Sequence, residues 1–163
     1  YKIQPKMFSV WMEILKEKPN SCLWLLDIHR VAKNNLYQHA KELGVAVERI
    51  IFSDKLANNE HLKRQTCADL FLDTFPINAH TTASDALWVG LPIITLSGES
   101  MVSRVAGSIL KNIGMEKLIT TNFKDYKKLA VIGDDHYGFC CEDCYDRWLN
   151  PGFQKYLGKI NKQ

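Results

Sequence analysis

The chain has 163 residues, of which 24% are charged and 46% hydrophobic, and its formal net charge is +3. This length predicts one domain with a core of its own, and the spread of the charges excludes the basic stripe of a nucleic-acid-binding protein. Apolar runs are short, and no basic start precedes an apolar segment, so the sequence predicts neither a membrane span nor a signal peptide. We therefore expect a cytosolic protein whose partners include small anions.

The sequence begins at Tyr1 rather than at a methionine, and a helical pattern follows at once, which indicates a piece of a longer protein. Five cysteines are an odd number. Cys22 and Cys67 lie in or beside apolar runs, where a reduced and buried thiol is the ordinary finding. We therefore expect no disulfide framework.

Apolar spacing predicts six helices and four strands. The predicted helices span Pro5–Lys18, Asn34–Leu43, Asn58–Thr66, Thr82–Val89, Met101–Ile113 and Phe123–Ile132. The predicted strands span Cys22–Leu26, Arg49–Ser53, Ala68–Asp73 and Ile93–Leu96. The first strand is a continuous apolar run, which is typical of a strand buried on both faces. Strands alternating with helices indicate βαβ units, and we expect an α/β fold with a doubly wound parallel sheet.

The stretch Asn78–Asp85 stands between a predicted strand and a predicted helix. Ligands of open parallel sheets bind beyond the carboxyl ends of the strands, and a helix N-terminus there offers free N–H groups and a positive dipole end to a phosphate. His80, Thr81 and Thr82 therefore form a candidate diphosphate site. The alternative is that Thr82 and Asp85 form a T-x-x-D capping box that needs no ligand. Both interpretations stay open on the local pattern.

Other polar side chains are expected at the same edge of the sheet. His61 and Arg64 are three residues apart on one helical face, where the imidazole can stack on a base and the guanidinium can donate to it. Asp85 can accept hydrogen bonds from ribose hydroxyls, and Lys2 can neutralise charge on a leaving phosphate. Each is equally explained, taken alone, as a solvated surface residue. The chain has no G-x-G-x-x-G and no Walker motif.

Cys140, Cys141 and Cys144, with His136 ahead of them, are the ligand types that zinc prefers. Their spacing is poor for a tetrahedral site, because adjacent cysteines rarely reach one ion together and a second pair is missing. We interpret the segment as reduced and without a metal.

Several motifs in order closely resemble the carboxyl-terminal catalytic lobe of the protein O-linked N-acetylglucosamine transferases. The matching segments are Asp69–Thr74, Asn78–Pro92, Gly98–Ala106, Tyr1–Ile3, Pro19–Leu26 and Arg49–Ser53. The resemblance covers about residues 1–132, so we expect a nucleotide-binding lobe at 1–132 and a diverged tail at 133–163. It implies the two-lobed fold called GT-B, with a Rossmann-like lobe here, a second lobe before it and tetratricopeptide repeats upstream.

The resemblance also implies roles for single residues. Lys2 matches the lysine that stabilises the leaving UDP, His61 and Arg64 match residues around the uracil, and Leu56 matches a backbone contact near the nucleoside. His80, Thr81 and Thr82 match the diphosphate-binding helix start, and Asp85 matches the carboxylate on the ribose. Asn58 replaces a family lysine near the ribose, and the tail departs from the family.

The implied activity of the parent protein is inverting transfer of N-acetylglucosamine from UDP-GlcNAc to serine or threonine of proteins, without a metal or another cofactor. The implied partners are the UDP-sugar, protein acceptors and the amino-terminal lobe, and the location is cytoplasmic, or nuclear in a eukaryote. We expect the isolated chain to be inactive. Two alternatives are a UDP-binding or protein-interaction module without turnover, and the related bacterial enzyme that attaches glucose to asparagine.

Overall fold

The computed structural model describes residues 2–27 and 29–136, the last four as backbone only. The α-helices are α1 (Pro5–Glu17), α2 (Arg30–Glu42), α3 (Asn58–Gln65), α4 (Thr81–Trp88), α5 (Val105–Asn112) and α6 (Phe123–His136). The strands are β1 (Leu23–Leu26), β2 (Ile50–Ser53), β3 (Phe71–Leu72), β4 (Ile93–Leu96) and β5 (Ile119–Thr120). Short 3-10 turns occupy Val47–Arg49, Met101–Ser103 and Glu116–Leu118.

Every strand pair in the described part of the chain is parallel, as the alternating pattern predicts. The strands form two sheets. One contains β1 and β2, and the other has the order β3, β4, β5. Among the described residues no backbone ladder joins β1 to β3. The predicted α/β class with parallel strands is confirmed, and it is built from two separately hydrogen-bonded units.

The prediction that the first strand is buried on both faces is wrong. Leu23 is buried, whereas Leu26 is 46% exposed. By contrast, all four residues of β4 are buried, because β4 has a strand on each side and helices against it. Cys22 and Cys67 are also exposed rather than buried. A continuous apolar run therefore does not distinguish a central strand from a partly covered one.

Three further boundaries differ from their predictions. Helix α2 begins at Arg30 rather than Asn34, because the His29 side chain accepts a hydrogen bond from the Val31 N–H and caps the helix. Helix α6 continues through Gly133 to His136. The helix predicted from Met101 divides into a 3-10 turn and α5. Strand β5 was not predicted, because two residues are too short to show a periodic pattern.

Helix α1 buries one face against α6, and a series of buried hydrogen bonds runs through this contact. The Trp11 Nε1 donates to the Tyr126 hydroxyl at 3.3 Å, and that hydroxyl donates to the Asp73 carbonyl at 2.9 Å. Tyr126 is fully buried, which raises the pKa of its phenol well above the ordinary value. The two helices are therefore connected by hydrogen bonds to the end of β3.

The turn after β4 depends on the small size of Gly98. A Cβ at this position would lie 2.6 Å from the Ser103 Oγ and 2.9 Å from the Phe75 Cε2. Ser103 cannot move freely, because it is buried and its hydroxyl donates to the Ser100 carbonyl at 2.8 Å. A side chain at residue 98 therefore forces this turn apart.

We expect Gly98→Ala to lower the free energy of unfolding by about 1–3 kcal/mol, the usual cost of overpacking. The matched control is Gly107→Ala in α5, where the new Cβ would be 3.5 Å from its nearest neighbour, an ordinary contact. Alanine inside a helix is favoured over glycine by about 1 kcal/mol, so this control is expected to gain stability. Urea unfolding followed by circular dichroism compares the two, and equal changes would contradict the role of Gly98.

Candidate functional site

The carboxylate of Asp73, directly after β3, accepts hydrogen bonds from the turn that leads to α4. Its Oδ1 accepts hydrogen bonds from the backbone N–H of Thr74 at 2.8 Å and of Ala79 at 2.7 Å. Its Oδ2 accepts a hydrogen bond from the Thr95 hydroxyl of β4 at 2.6 Å. Both oxygens are thus occupied from inside the molecule, and the turn of residues 74–79 is closed onto the sheet.

Asn78 holds the same turn from its other side. Its side-chain amide donates to the carbonyl of Thr74 at 2.9 Å, and its own N–H donates to the Val102 carbonyl at 2.9 Å. Asn78 is fully buried, and the turn contains a cis peptide bond between Phe75 and Pro76. The inner side of the turn is therefore fixed, and the residues that follow it are presented to solvent.

Helix α4 begins at Thr81, with His80 in the N-cap position and without a side-chain cap hydrogen bond. The capping box predicted for Thr82 and Asp85 is therefore wrong, because the helix starts one residue earlier and both residues lie inside it. No hydrogen bond among the described residues uses the N–H of Thr81 or Thr82. His80, Thr81 and Thr82 are exposed, so the first turn offers unpartnered donors and the positive end of the helix dipole to an anion.

Lys2 lies just ahead of α1 and is half-buried. The pKa of Asp73 is raised from 3.8 to about 6, because the effect of burial exceeds the lowering by hydrogen bonds from Thr95, Ala79 and Thr74 and by the charge of Lys2. Lys2 is thus one of the charges that act on the carboxylate at the end of β3, and its place in the site stays a prediction.

His61 and Arg64 lie one turn apart on α3, as their spacing predicts. The Arg64 guanidinium is 4.9 Å from the centre of the Trp24 ring, and its Nη1 donates to the Asp54 carbonyl at 2.7 Å. Its Nη2 is 3.4 Å from the His61 Nδ1, and His61 also contacts Gln65 at 2.9 Å. The pair is therefore held in an ordered network rather than solvated freely.

The two groups of candidate residues meet through the contact of α3 with α4. Asp85 is half-exposed in α4, and its carboxylate makes no hydrogen bond among the described residues. Leu56 is 37% exposed in the loop before α3, and Asn58 is the first residue of that helix. The arrangement gives one edge with exposed N–H donors at α4 and with a guanidinium and an imidazole at α3.

Three residues of this edge were missed by reasoning from the sequence: Trp24, Gln65 and Asp73. An Asp directly after a buried strand and before Thr was the available signal for Asp73. Trp24 contacts Arg64, and Gln65 contacts His61. A pattern along the sequence does not show such contacts. The predicted site therefore needed the fold to reveal its supporting residues.

The cysteines Cys140, Cys141 and Cys144 lie outside the described residues, and so does the side chain of His136. Among the side chains that the structure describes, no group of three or more His, Cys, Asp or Glu residues is placed to hold a metal ion. No helix within the described part of the chain is both long and apolar enough to cross a membrane.

The chain is a Rossmann-like α/β lobe. It has parallel strands with helices between them, a helix N-terminus with unpartnered N–H groups among the described residues, and a cationic face at the carboxyl edge of the sheet. Comparison with known proteins agrees with this class. The chain matches the model of glycosyl transferase family 41 over residues 1–139. The chain belongs to glycosyl transferase family 41.

Two relatives show the extent of the match. The chain is 40% identical over 132 residues to a probable UDP-N-acetylglucosamine–peptide N-acetylglucosaminyltransferase of Arabidopsis thaliana, covering 80% of this chain and 14% of the relative. It is 39% identical over 136 residues to the Caenorhabditis elegans UDP-N-acetylglucosamine–peptide N-acetylglucosaminyltransferase, covering 83% of this chain and 12% of the relative. The chain thus spans about one seventh of the length of the first protein and about one eighth of the second.

A solved structure is similar to the whole described fold. It is a mutant O-GlcNAc transferase of Thermobaculum terrenum, with a TM-score of 0.84 and 28% sequence identity, over 93% of this chain and 30% of that chain. This chain spans less than a third of that protein, and the expected Rossmann-like α/β lobe is confirmed.

Asp73→Asn tests the buried carboxylate through the pH dependence of stability. The pKa of Asp73 is about 6 in the folded chain against an ordinary 3.8, so the folded state binds this proton more tightly. Its stabilising contribution is complete below about pH 4 and is lost as the pH rises through 6. Asparagine keeps the acceptor for Thr74 and Ala79 and carries no charge.

We therefore expect the free energy of unfolding of Asp73→Asn, relative to the unaltered chain, to rise by about 2–3 kcal/mol between pH 4 and pH 7. Urea unfolding at a series of pH values measures it. Asp85→Asn is the matched control, since its carboxylate is half-exposed and makes no hydrogen bond among the described residues. A constant difference across this pH range would contradict the role assigned to burial.

Proposed function

We propose that the parent protein transfers N-acetylglucosamine from UDP-GlcNAc to serine or threonine hydroxyls of proteins, and that this lobe binds the UDP part of the donor. The observation that carries the proposal is the uncapped start of α4, with the N–H groups of Thr81 and Thr82 unpartnered among the described residues. The names of the two relatives, both UDP-N-acetylglucosamine–peptide transferases, support the donor and the protein acceptor.

The diphosphate binds at the start of α4. The N–H groups and hydroxyls of Thr81 and Thr82 donate to its oxygens, His80 flanks them, and the helix dipole favours the negative charge. Asp85 accepts hydrogen bonds from the ribose hydroxyls, for which its carboxylate is unoccupied within the described part of the chain. The exposed first turn therefore accounts for the phosphate and ribose parts of the donor.

The base binds at α3. Arg64 contacts the Trp24 ring and donates to the Asp54 carbonyl, and His61 offers an adjacent ring for stacking. The Leu56 backbone contributes a contact near the nucleoside. Asn58, at the first position of α3, replaces a lysine of the family, so the ribose contact of that lysine is not reproduced by the same charge.

Catalysis in this proposal comes from positioning and from charge stabilisation. The acceptor oxygen bonds to the sugar carbon as the bond to the diphosphate oxygen breaks, with inversion at that carbon, and the proton of the acceptor hydroxyl passes to solvent. Negative charge then grows on the departing UDP, and Lys2 together with the start of α4 stabilises it. These groups supply the positive charge that a metal ion supplies elsewhere, so the proposed reaction uses no metal or other cofactor.

The remaining parts of the proposal concern the parent protein. A second lobe would complete the donor cleft, helical tetratricopeptide repeats would bind protein acceptors, and the reaction would take place in the cytoplasm or nucleus. The chain spans 14% of the Arabidopsis relative, which favours a second candidate for the isolated chain, a UDP-binding module without turnover. The asparagine glucosyltransferase remains the alternative for the donor sugar.

Thr81→Pro tests the nucleotide site directly. Proline at the first helical position removes one N–H donor, while Thr81→Ala removes the hydroxyl and keeps the N–H. We expect UDP affinity to fall about 10-fold for Thr81→Pro relative to Thr81→Ala, because a hydrogen bond to a charged group is lost. Asp85→Ala and Lys2→Ala, each made alone, are expected to lower the affinity for UDP relative to the unaltered chain.

Isothermal titration calorimetry with UDP compares these variants, and circular dichroism checks that α4 is retained. Affinities that do not differ among the unaltered chain, Thr81→Pro, Asp85→Ala and Lys2→Ala would remove the site assignment.

Incubation of the chain with UDP-GlcNAc and a serine- and threonine-containing peptide tests turnover. We expect UDP binding but no sugar transfer, because one lobe does not enclose the donor. Mass spectrometry of the peptide detects transfer, and glycosylated peptide would refute the requirement for a second lobe. Competition between UDP-GlcNAc and UDP-glucose in the parent protein distinguishes the two donor sugars.

A further inference from the structure

Gln65, the last residue of α3, is nearly enclosed, with 6% of its surface exposed. Its side-chain Nε2 lies 2.9 Å from the Nε2 of His61, one helical turn earlier. Its amide oxygen is buried and has no hydrogen-bond partner. Burial of an amide costs free energy when one of its polar groups stays unpaired, and here the other group contacts a residue of the candidate site. This points to a role for Gln65 beyond filling space.

The protons of the network can be placed from the chemistry of its members. A guanidinium can only donate, and the Nη2 of Arg64 is 3.4 Å from the Nδ1 of His61. The Nδ1 therefore accepts, and the proton of a neutral imidazole is on Nε2. A protonated Nε2 needs an acceptor. The two ends of an amide have the same shape, so we assign the Gln65 amide the other way round, with its oxygen toward the ring and its NH2 in the place of the unpartnered oxygen.

This arrangement leaves His61 without a free ring nitrogen. Its Nδ1 is occupied by Arg64 and its Nε2 by Gln65, so the ring can meet a ligand only through its face or its carbon edge. Arg64 is also held in place, because its guanidinium lies 4.9 Å from the centre of the Trp24 ring and donates one N–H to the Asp54 carbonyl. The α3 end of the site is then a preformed stacking surface.

We propose that Gln65 is a positioning residue for the base of the nucleotide: it accepts the Nε2 proton of His61 and holds the imidazole in the orientation that stacks on the base. This inference rests on the proposed function for the identity of the ligand. Preformed orientation raises affinity because the side chain is already ordered before the ligand arrives. Gln65 itself does not touch the ligand, since it is enclosed beneath His61 and acts through it.

The test uses Gln65→Leu, which keeps the approximate length and removes the acceptor, and Gln65→Glu, which restores an acceptor. Gln38→Leu is the matched control, because Gln38 is an exposed glutamine on another helix, α2. Long-range proton–nitrogen correlation spectra of the ¹⁵N-labelled chain report which ring nitrogen of His61 carries the proton. Calorimetry measures the affinities for UDP and for inorganic pyrophosphate, which has no base.

We expect the proton on Nε2 in the unaltered chain and in Gln65→Glu, and a mixture of tautomers in Gln65→Leu. UDP affinity is expected to fall about 5-fold in Gln65→Leu, the equivalent of one ordinary hydrogen bond, while pyrophosphate affinity stays unchanged. Space filling alone would move Gln65→Glu as much as Gln65→Leu and would leave the tautomer unaltered.

The outcomes that overturn the proposal are distinct from those that overturn the proposed function. A proton on Nδ1 in the unaltered chain, or equal UDP affinities for the unaltered chain and Gln65→Leu, would refute the role of Gln65 while UDP binding remained intact. No UDP binding by the unaltered chain would refute the proposed function as well.

Discussion

The burial of the Asp73 carboxylate is the constraint on which the rest of the structure depends. A buried carboxylate is tolerated only when donors surround it, and here the donors come from β4 and from both ends of the turn before α4. The carbonyl of the same residue accepts the Tyr126 hydroxyl, which connects it to α6 and, through Trp11, to α1. One residue therefore sets the positions of two strands, one turn and two helices.

The same constraint explains why the first turn of α4 is exposed. The Asp73 carboxylate and the side-chain NH2 of Asn78 hold the inner side of the turn, so the chain leaves the sheet in one fixed direction. The N–H groups of Thr81 and Thr82 take no part in this interior network. The stability of the turn and its capacity to bind an anion therefore have the same origin, and neither requires flexible residues.

Local patterns predicted those features that are local. The limits of β4 match the predicted strand, and the spacing of His61 and Arg64 placed both on one face of α3. The predictions that failed did so for different reasons. The exposure of Leu26 depends on which strands lie beside it, which is a long-range effect, whereas the capping box failed locally because α4 begins at Thr81, one residue earlier than predicted. Thr95 and Tyr126, 22 and 53 residues beyond Asp73 in the chain, could not be assigned as its partners from spacing.

The α3 and α4 ends of the site lie beyond different sheets. Helix α3 follows β2 in the first sheet and α4 follows β3 in the second, and in the described part of the chain the two sheets share no backbone hydrogen bonds. A nucleotide that contacts His61 and Thr82 at once would link the two sheets. Its binding energy would be added to the side-chain packing that otherwise couples them, so ligand binding and the cooperativity of unfolding would rise together.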